Sequence, residues 1–268
     1  MGQGKTVALR SVFEEKRSRA IPADGPLAGQ RLMRILIATD ARRPQINGVS
    51  RTIELLCANS HRCGVEIVVL GPDKFRTWPL PTYKSIRVAL ATPSAIAAAI
   101  KESGPDVIHI ATEGPIGIMT RRHCLRAGRP FTTCYHTKFP EYIRSRAPVP
   151  LGWSYAVLRG FHNRAHWTLV STPTLQQELR ERGFTKTRLW TRGVDTRLFA
   201  GASPTHLDIP RPIFLSVGRI AVEKNIEAFL RLDLPGSKVI VGDGPDLETL
   251  RSRYPECHFL GAMESEVA

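Results

Sequence analysis

Long hydrophobic runs are missing from this sequence. No apolar stretch approaches the roughly 20 residues that a membrane-spanning helix needs, so a transmembrane helix is excluded. The N-terminal stretch also lacks the apolar core of a secretory signal and carries the acids Glu14, Glu15 and Asp24. We therefore expect a protein that is not secreted through such a signal.

Cysteine is scarce and shows no pairing pattern. The five cysteines are an odd number, and none of them forms a C-x-x-C pair. This argues against a disulfide framework and against a zinc site. We expect reduced thiols and a cytoplasmic protein.

Acidic residues are also few. There are 24 Asp and Glu against 38 Lys and Arg, which gives a net charge of +14. Such a field attracts polyanions, either nucleic acid or an anionic membrane face, and the charge does not choose between them. Hydrophobic residues make up 42% and charged residues 23% of the chain, which is typical of a globular protein and excludes wholesale disorder.

Apolar β-rich runs alternate with helical patterns along most of the chain. This alternation predicts βαβ units, and hence an α/β fold whose parallel sheet is covered on both faces. One helix is predicted from Ser50 to His61 with Ser50 as its cap. The predicted strands are 34–39, 65–70, 85–90, 106–110, 131–135, 168–171, 213–215, 238–241 and 257–261.

A glycine turn with two cations follows one of these predicted strands. Gly218 ends the run 213–217, and Arg219 and Lys224 come before a helical pattern that starts after Asn225. Backbone N–H groups and the helix dipole favour anions at such a position. Two fixed cations there suit a diphosphate better than a single carboxylate.

The alternative is that Arg219 and Lys224 form ion pairs with Glu223 or Glu227 nearby. The next predicted strand ends in a second glycine loop, Gly242-Asp243-Gly244-Pro245. Two neighbouring strands that end in glycine loops, one of them carrying two cations, favour a cleft for a phosphate ester.

These motifs together resemble a known family. Gly218-Arg219-Ile220, Glu223-Lys224-Asn225 and Gly242-Asp243-Gly244-Pro245 are similar to the donor-binding region of family 4 retaining glycosyltransferases, the glycolipid-forming group with the GT-B fold. The resemblance runs from about residue 34 to the end of the chain. It implies two Rossmann-like, doubly wound domains that face a cleft, the second of them incomplete.

The resemblance also implies donor-side residues. In that family the Arg and Lys hold the diphosphate of a sugar nucleotide, which assigns Arg219 and Lys224 a catalytic role in stabilising the leaving group. The expected donor-binding residues are Gly48, Gly218, Arg219, Lys224, Gly242, Asp243, Gly244 and Leu260.

On the acceptor side, Tyr135-His136-Thr137 before Phe139-Pro140 resembles the family segment whose histidine faces the transferred sugar. His136 is therefore the third expected catalytic residue, with a structural histidine as the alternative. Asn47, Glu113 and Lys138 are the expected acceptor-side residues, although Glu113 is also placed as a partner of a helix dipole. Arg192 and Asp195 either border the cleft or form a salt bridge.

The expected organisation is a flexible extension over 1–30, an acceptor-side Rossmann-like domain over 31–205 and a partial nucleotide-sugar domain over 206–268. Family motifs that normally follow the last strand are absent, so we expect a truncated second domain with apolar surface exposed to water.

Basic residues are interleaved with aromatic and apolar ones from Lys138 to Trp167, where Glu141 is the only acid. This pattern fits either contact with an anionic membrane or packing in the core.

The resemblance implies transfer of a sugar, with retention, from a UDP-, GDP- or similar nucleotide sugar to a hydroxyl acceptor, in particular a membrane lipid. No cofactor is expected. No metal is expected either, because an Asp-x-Asp motif is absent. The expected partners are the nucleotide sugar, the lipid acceptor and the inner membrane face, with no specific nucleic acid. The alternative is a truncated, catalytically inactive module that binds anionic membrane or other polyanions.

Overall fold

The computed structural model describes residues 31–42, 47–80, 83–144, 147–194, 196 and 207–263. The predicted extension over 1–30, Asp195 and the predicted domain boundary at 205/206 lie outside these residues. The chain divides into two compact units. The first unit comprises Met1–Thr137 and Tyr155–Arg192, and the second comprises Lys138–Ser154 and Gly193–Ala268.

Helices and strands alternate along the chain. The strands are β1 (Met33–Ala38), β2 (Val65–Leu70), β3 (Thr77–Leu80), β4 (Tyr83–Ala89), β5 (Val107–Ile110), β6 (Thr132–Tyr135), β7 (Trp167–Val170), β8 (Thr187–Leu189), β9 (Ile213–Val217), β10 (Ser237–Val241) and β11 (His258–Gly261). The helices are α1 (Gly48–Asn59), α2 (Pro93–Ser103), α3 (Pro115–Arg126), α4 (Phe139–Arg144), α5 (Leu151–His162), α6 (Pro173–Glu181), α7 (Ile226–Leu230) and α8 (Leu247–Arg253).

The first unit is built on a six-stranded sheet in the order β2-β1-β5-β6-β7-β8, with every neighbouring pair parallel. This confirms the predicted α/β class. The strand predicted at 85–90 departs from the expected alternation, because β4 pairs antiparallel with β3 in a separate hairpin. Only two residues separate β3 from β4, and a parallel crossover needs a dozen or more.

Helices cover both faces of the six-stranded sheet. On one face, Leu36 and Ile108 of the strands pack with Ile96 of α2 and Ile116 of α3, and all four are almost fully buried. On the other face, Ile37 packs with Ile53 of α1 in a smaller cluster. Burial on two sides explains why the strands read as continuous apolar runs rather than as alternating ones.

The order of strands reverses between β1 and β5, because the chain moves from β1 outward to β2 and later returns to β5 on the other side. In open parallel sheets, ligands bind beyond the carboxyl ends of the strands at such a reversal. The loops after β1, β5 and β6 therefore carry the residues of interest in this unit.

The second unit has a three-stranded parallel sheet in the order β11-β10-β9. One face packs against α7 and α8 through a cluster that contains Leu230, Ile240 and Leu250. On the opposite face Leu215 and Val217 of β9 are 60% and 69% exposed. Apolar surface therefore does face water in this unit.

Glu227 connects α7 to α8 and to the residue that follows α8. Its Oε1 atom accepts hydrogen bonds from Arg231 at 2.8 Å, from Arg253 at 2.8 Å and from the Tyr254 hydroxyl at 3.0 Å. The hydrogen bonds from Arg231, then Arg253, then Tyr254, lower the pKa of Glu227 to about 2. A carboxylate with a lowered pKa stabilises the fold above its unfolded pKa of roughly 4.3, and that contribution disappears as the pH falls toward 2.

Replacement Glu227→Gln is expected to lower the unfolding midpoint of the chain at pH 7, and the gap to the unmodified chain should narrow between pH 5 and pH 2. Thermal unfolding followed by circular dichroism across this range measures the effect. Glu248→Gln is the control, because Glu248 is 77% exposed and, among the residues that the structure describes, its side chain pairs with Arg251 alone. A gap that does not change with pH would contradict the assignment.

Gly117 in the first turn of α3 marks a close approach of two backbone segments. A Cβ atom at this position would lie 1.9 Å from the carbonyl oxygen of Thr112. No side chain can move to relieve this contact, because the obstacle is backbone.

We expect Gly117→Ala to lower the free energy of unfolding by about 1–3 kcal/mol, measured by urea denaturation. Gly160→Ala is the matched control within α5, where a Cβ would meet nothing within 4 Å. That variant should be neutral or slightly stabilising, since alanine favours a helix over glycine by roughly 0.5–1 kcal/mol. Equal stability of the two variants would refute the steric argument.

Candidate functional site

Asp40 lies beyond the carboxyl end of β1, where the strand order of the first sheet reverses. It follows β1 and accepts hydrogen bonds from the N–H groups of Ile116 at 3.0 Å and Gly117 at 3.4 Å and from the Thr112 hydroxyl at 2.8 Å. Burial raises the pKa of Asp40, against the opposing effect of these hydrogen bonds. The carboxylate thus occupies the N-terminus of α3, where an anionic ligand would otherwise bind.

Sequence reasoning missed this role of Asp40. The signal that could have found it is the glycine at 114, where a Cβ would lie 2.4 Å from the Asp40 carboxyl carbon. A glycine before Pro115, and an acid at the end of the first strand, together indicate this packing.

The N-terminus of α1 is closed by Asn47. The predicted cap, Ser50, is wrong: Asn47 precedes the helix, and its side-chain oxygen accepts from the N–H groups of Val49 at 3.0 Å and Ser50 at 2.9 Å. Ser50 instead completes the capping box by accepting from the Asn47 N–H at 3.1 Å. The side-chain oxygen of Asn47, an expected acceptor-side residue, is therefore engaged within its own helix.

Gly48 is exposed at the start of α1, and the guanidinium of Arg192 is the group next to it. A Cβ atom on Gly48 would lie 3.6 Å from Nη1 of Arg192. The two residues are 144 positions apart in the sequence, and the six-stranded sheet brings them together.

His136 follows β6 and is contacted by Arg192. Nη2 of Arg192 donates to Nδ1 of His136 at 2.7 Å, and Sγ of Cys134 lies 3.6 Å from the same nitrogen. Burial, followed by the charge of Arg192, lowers the pKa of His136 to about 3. His136 is therefore a neutral imidazole at physiological pH.

Trp190 lies between two histidines. Its ring makes edge contacts with His136 and with His109, each at 6.4 Å between ring centroids. His109 of β5 also forms a 2.9 Å hydrogen bond with the Thr132 hydroxyl, and burial lowers its pKa to about 4. Sequence analysis had not linked Trp190 to the site, because only the tertiary fold places it beside His136.

Glu113, another expected acceptor-side residue, binds a buried histidine. Oε1 of Glu113 lies 3.1 Å from Nε2 of His162, a side chain with no exposed surface. The other ring nitrogen of His162 lies 2.9 Å from the Thr133 hydroxyl. Glu113 keeps a quarter of its side chain exposed.

Lys138 is exposed and directly precedes α4 in the second unit, where its carbonyl accepts the Tyr142 N–H. Lys138 belongs to the second unit, whereas His136, two residues before it, and Glu113 belong to the first.

In the second unit the two glycine loops interlock. A Cβ on Gly242 would lie 1.8 Å from the Gly218 carbonyl oxygen, and one on Gly244 would lie 2.0 Å from the Ile220 carbonyl oxygen. Hydrogen bonds from the Gly218 N–H to Val241 and from the Ile220 N–H to Asp243 join the same segments. Backbone contact therefore accounts for Gly242 and Gly244, and their role in donor binding stays a prediction.

Gly218 differs from these two glycines. Its φ of +154° favours glycine, yet a Cβ there would meet nothing within 4 Å. The space beside Gly218 is thus open within the described part of the chain. Asp243 uses its carboxylate to accept the Gly244 N–H at 2.7 Å, and Leu260 on β11 is 37% exposed.

Arg219 and Lys224 follow Gly218 on the same loop. Arg219 is 3.9 Å from Glu223, a distance longer than the roughly 2.7–2.9 Å of a charge-assisted hydrogen bond. Lys224 is exposed and forms no ion pair with any residue that the structure describes. Glu227, the other acid considered for them, is held by Arg231 and Arg253.

A short helix follows this loop at the predicted place. α7 has five residues and starts after Asn225, whose φ is +48° and whose side chain makes no cap hydrogen bond. Because so short a helix has a small dipole, the two cations carry most of the positive charge at this position.

These features define the class of the protein. It is an α/β protein with two parallel sheets, and its candidate polar residues lie beyond the carboxyl ends of the strands. A similar solved structure is described as the crystal structure of Anabaena Alr3699/HepE in complex with UDP and glucose. It has a TM-score of 0.58 and 16% identity, and the match covers 87% of this chain and 70% of that one. This likeness shows the GT-B fold.

Two named relatives match most of this chain in sequence. A GDP-mannose-dependent alpha-mannosyltransferase of Mycobacterium tuberculosis is 28% identical, over 86% of this chain and 68% of that protein. Sulfoquinovosyl transferase SQD2 of Arabidopsis thaliana is also 28% identical, over 71% of this chain and 41% of that protein.

The family model of Glycosyltransferase Family 4 matches residues 46–198, more than half of the sequence. The chain belongs to Glycosyltransferase Family 4, as the sequence motifs had indicated, and its enzyme class is that of a glycosyltransferase.

Proposed function

We propose that the protein transfers a sugar from a nucleoside-diphosphate sugar to a hydroxyl group of a membrane lipid, with retention and without a metal. The observation that carries this proposal is the pair Arg219 and Lys224 beside the open space at Gly218. The names of two relatives support a nucleotide-sugar donor and a lipid acceptor. One is a GDP-mannose-dependent alpha-mannosyltransferase, and the other, of Streptococcus pneumoniae, is an alpha-monoglucosyldiacylglycerol synthase.

The chemistry requires negative charge to be stabilised as the sugar leaves the diphosphate. Arg219 offers a planar guanidinium that can bind two phosphate oxygens, and Lys224 offers a compact point charge. Neither is committed to a close carboxylate within the described residues, so both are available to a ligand. Fixed cations of this kind stabilise a transition state because they need no reorganisation when charge develops.

His136 in the first unit supplies a different group. It is neutral, and its contacts in the described part of the chain, with Arg192 and Cys134, are made through Nδ1. Nε2 thus remains for an oxygen of the sugar or of the attacking hydroxyl.

Lys224→Ala is expected to reduce turnover more strongly than donor affinity, because the leaving group gains most of its charge in the transition state. A reduction of roughly 10²–10³-fold in kcat is expected, by comparison with the loss of other preorganised groups of this kind. Transfer from UDP- and GDP-sugars to lipid acceptors measures kcat, and calorimetric titration with the same nucleotide sugars measures binding.

Arg251→Ala is the control for charge, since Arg251 is an exposed arginine of the same unit paired with Glu248. It should leave both quantities unchanged. Normal turnover in Lys224→Ala would refute the proposed role of Lys224 in stabilising the leaving group. Donor binding without any transfer by the unmodified chain would instead favour a catalytically inactive binding module.

Contact with the membrane is proposed for one face of α5. The described chain contains no helix long and apolar enough to cross a bilayer. On α5, however, Trp153 and Val157 lie one turn apart and are each 73% exposed, while Tyr155, Leu158 and Phe161 are buried on the other side. An exposed tryptophan beside a second apolar residue, on a chain of charge +14, suits the interface of an anionic bilayer.

The double variant Trp153→Ser/Val157→Ser is expected to weaken binding to vesicles that contain phosphatidylglycerol by at least about tenfold. Burying such a side chain contributes roughly 1.5–3 kcal/mol, and 1.4 kcal/mol is a factor of ten. Vesicle sedimentation measures the binding, and phosphatidylcholine vesicles report the contribution of charge.

Leu125→Ser, at a 42% exposed position on α3, is the matched control and should bind as the unmodified chain does. If the double variant also binds normally, α5 is not the membrane face. Binding to DNA that weakens steeply with rising salt, as vesicle binding does, would indicate a general attraction to polyanions.

A further inference from the structure

We infer that Arg192 is a positioning residue that fixes the neutral imidazole of His136 with its proton on Nε2, so that His136 acts as a hydrogen-bond donor rather than as a base. The catalytic consequence rests on the proposed transfer reaction. The tautomer of His136 is inferred from geometry and does not depend on that reaction.

A hydrogen bond joins Arg192 to His136. A guanidinium has five N–H donors and no acceptor. Because Nη2 of Arg192 lies 2.7 Å from Nδ1 of His136, Nδ1 must present its lone pair to the guanidinium. In a neutral imidazole the single proton then lies on Nε2.

The surroundings of His136 keep the imidazole neutral. The titratable groups that face it are the Cys134 thiol on β6, His109 on β5, His162 on α5 and the Arg192 guanidinium. None of them is a carboxylate that could pair with an imidazolium. The acid near this edge, Glu113, is hydrogen-bonded to His162.

The Cys134 thiol does not offer an alternative arrangement. Burial raises its pKa to about 12, so the sulfur remains protonated and is only a weak acceptor. A proton on Nδ1 would point toward the guanidinium hydrogens, which is unfavourable. Both neighbours of Nδ1 therefore support the same tautomer.

The segment that carries Arg192 also orients the ring. Trp190 lies two residues earlier, at the end of β8, and its ring packs edge-on against His136. Nη1 of Arg192 lies beside Gly48, 3.6 Å from the position that a Cβ atom would take. Ring plane and proton position are thus set by one short stretch, 190–192.

The consequence for chemistry is specific. With Nδ1 accepting from Arg192, Nε2–H can donate to a hydroxyl or ring oxygen of a substrate, but it has no lone pair with which to take up a proton. His136 is therefore assigned to holding and polarising a substrate oxygen.

Nitrogen-15 NMR of histidine-labelled full-length protein tests this inference directly. In the unmodified chain, His136 should show an unprotonated Nδ1 and a protonated Nε2 at pH 7. In Arg192→Met this tautomer preference should be lost and the pKa of His136 should rise toward its ordinary value. Arg192→Lys, which retains an N–H donor, should restore part of the preference.

Arg188→Met is the matched control, because Arg188 is an exposed arginine of β8 that contacts the ring of Trp167 instead. Its His136 signals should match those of the unmodified chain. If Arg192→Met leaves the tautomer and the pKa of His136 unchanged while the chain stays folded by circular dichroism, the inference is overturned.

Transfer kinetics provide a second readout. Arg192→Met should lower kcat at least tenfold with KM for the donor nearly unchanged, and Arg192→Lys should recover part of the loss. A change in the NMR signals without any change in kcat would show that the tautomer has no part in the reaction. A chain that transfers no sugar at all would refute the proposed function, and the NMR result would still decide the role of Arg192.

Discussion

Parallel pairing of strands is the constraint that places the candidate residues within each unit. In the six-stranded and the three-stranded sheet it places every carboxyl strand end at one edge, where loops and helix N-termini meet. In the first unit that edge carries Asp40, Glu113 and His136, which are far apart in the sequence. In the second it carries Gly218 with Arg219. The chemistry of the protein is therefore located by topology first and by side-chain type second.

The two units differ in whether the charged and polar groups at this edge are already paired within the protein. In the first, protein groups already satisfy the strongest anion positions, since Asp40 occupies the start of α3 and Asn47 that of α1. In the second, Arg219 has no close carboxylate partner in the described chain, while Glu227 holds Arg231 and Arg253 a few residues away. The acids of the second unit thus stabilise its helices and leave the loop cations available.

Local pattern was sufficient for most of the fold. Strands such as β2 and helices such as α2 follow from apolar runs and glycine or proline boundaries, because secondary structure and periodicity are local properties. The β3–β4 hairpin and the cap at Asn47 were missed, since an apolar run does not reveal its partner and serine and asparagine are equally good caps. The roles of the site residues chosen from motifs stay predictions. The contact between Arg192 and His136 spans 56 residues and exists only in the folded chain. Glycines were the most ambiguous signal, because close approach of a ligand and close approach of backbone require the same residue.

The interlocked loops of the second unit have a consequence for how such a protein can diversify. Because Gly242 lies against the carbonyl of Gly218, and Gly244 against that of Ile220, neither loop can change its course without displacing the other. Under the proposed function, selectivity for one sugar nucleotide over another cannot then be altered by remodelling a single loop. Such selectivity has to change through the side chains that these two loops carry, or through substitutions made in both loops together.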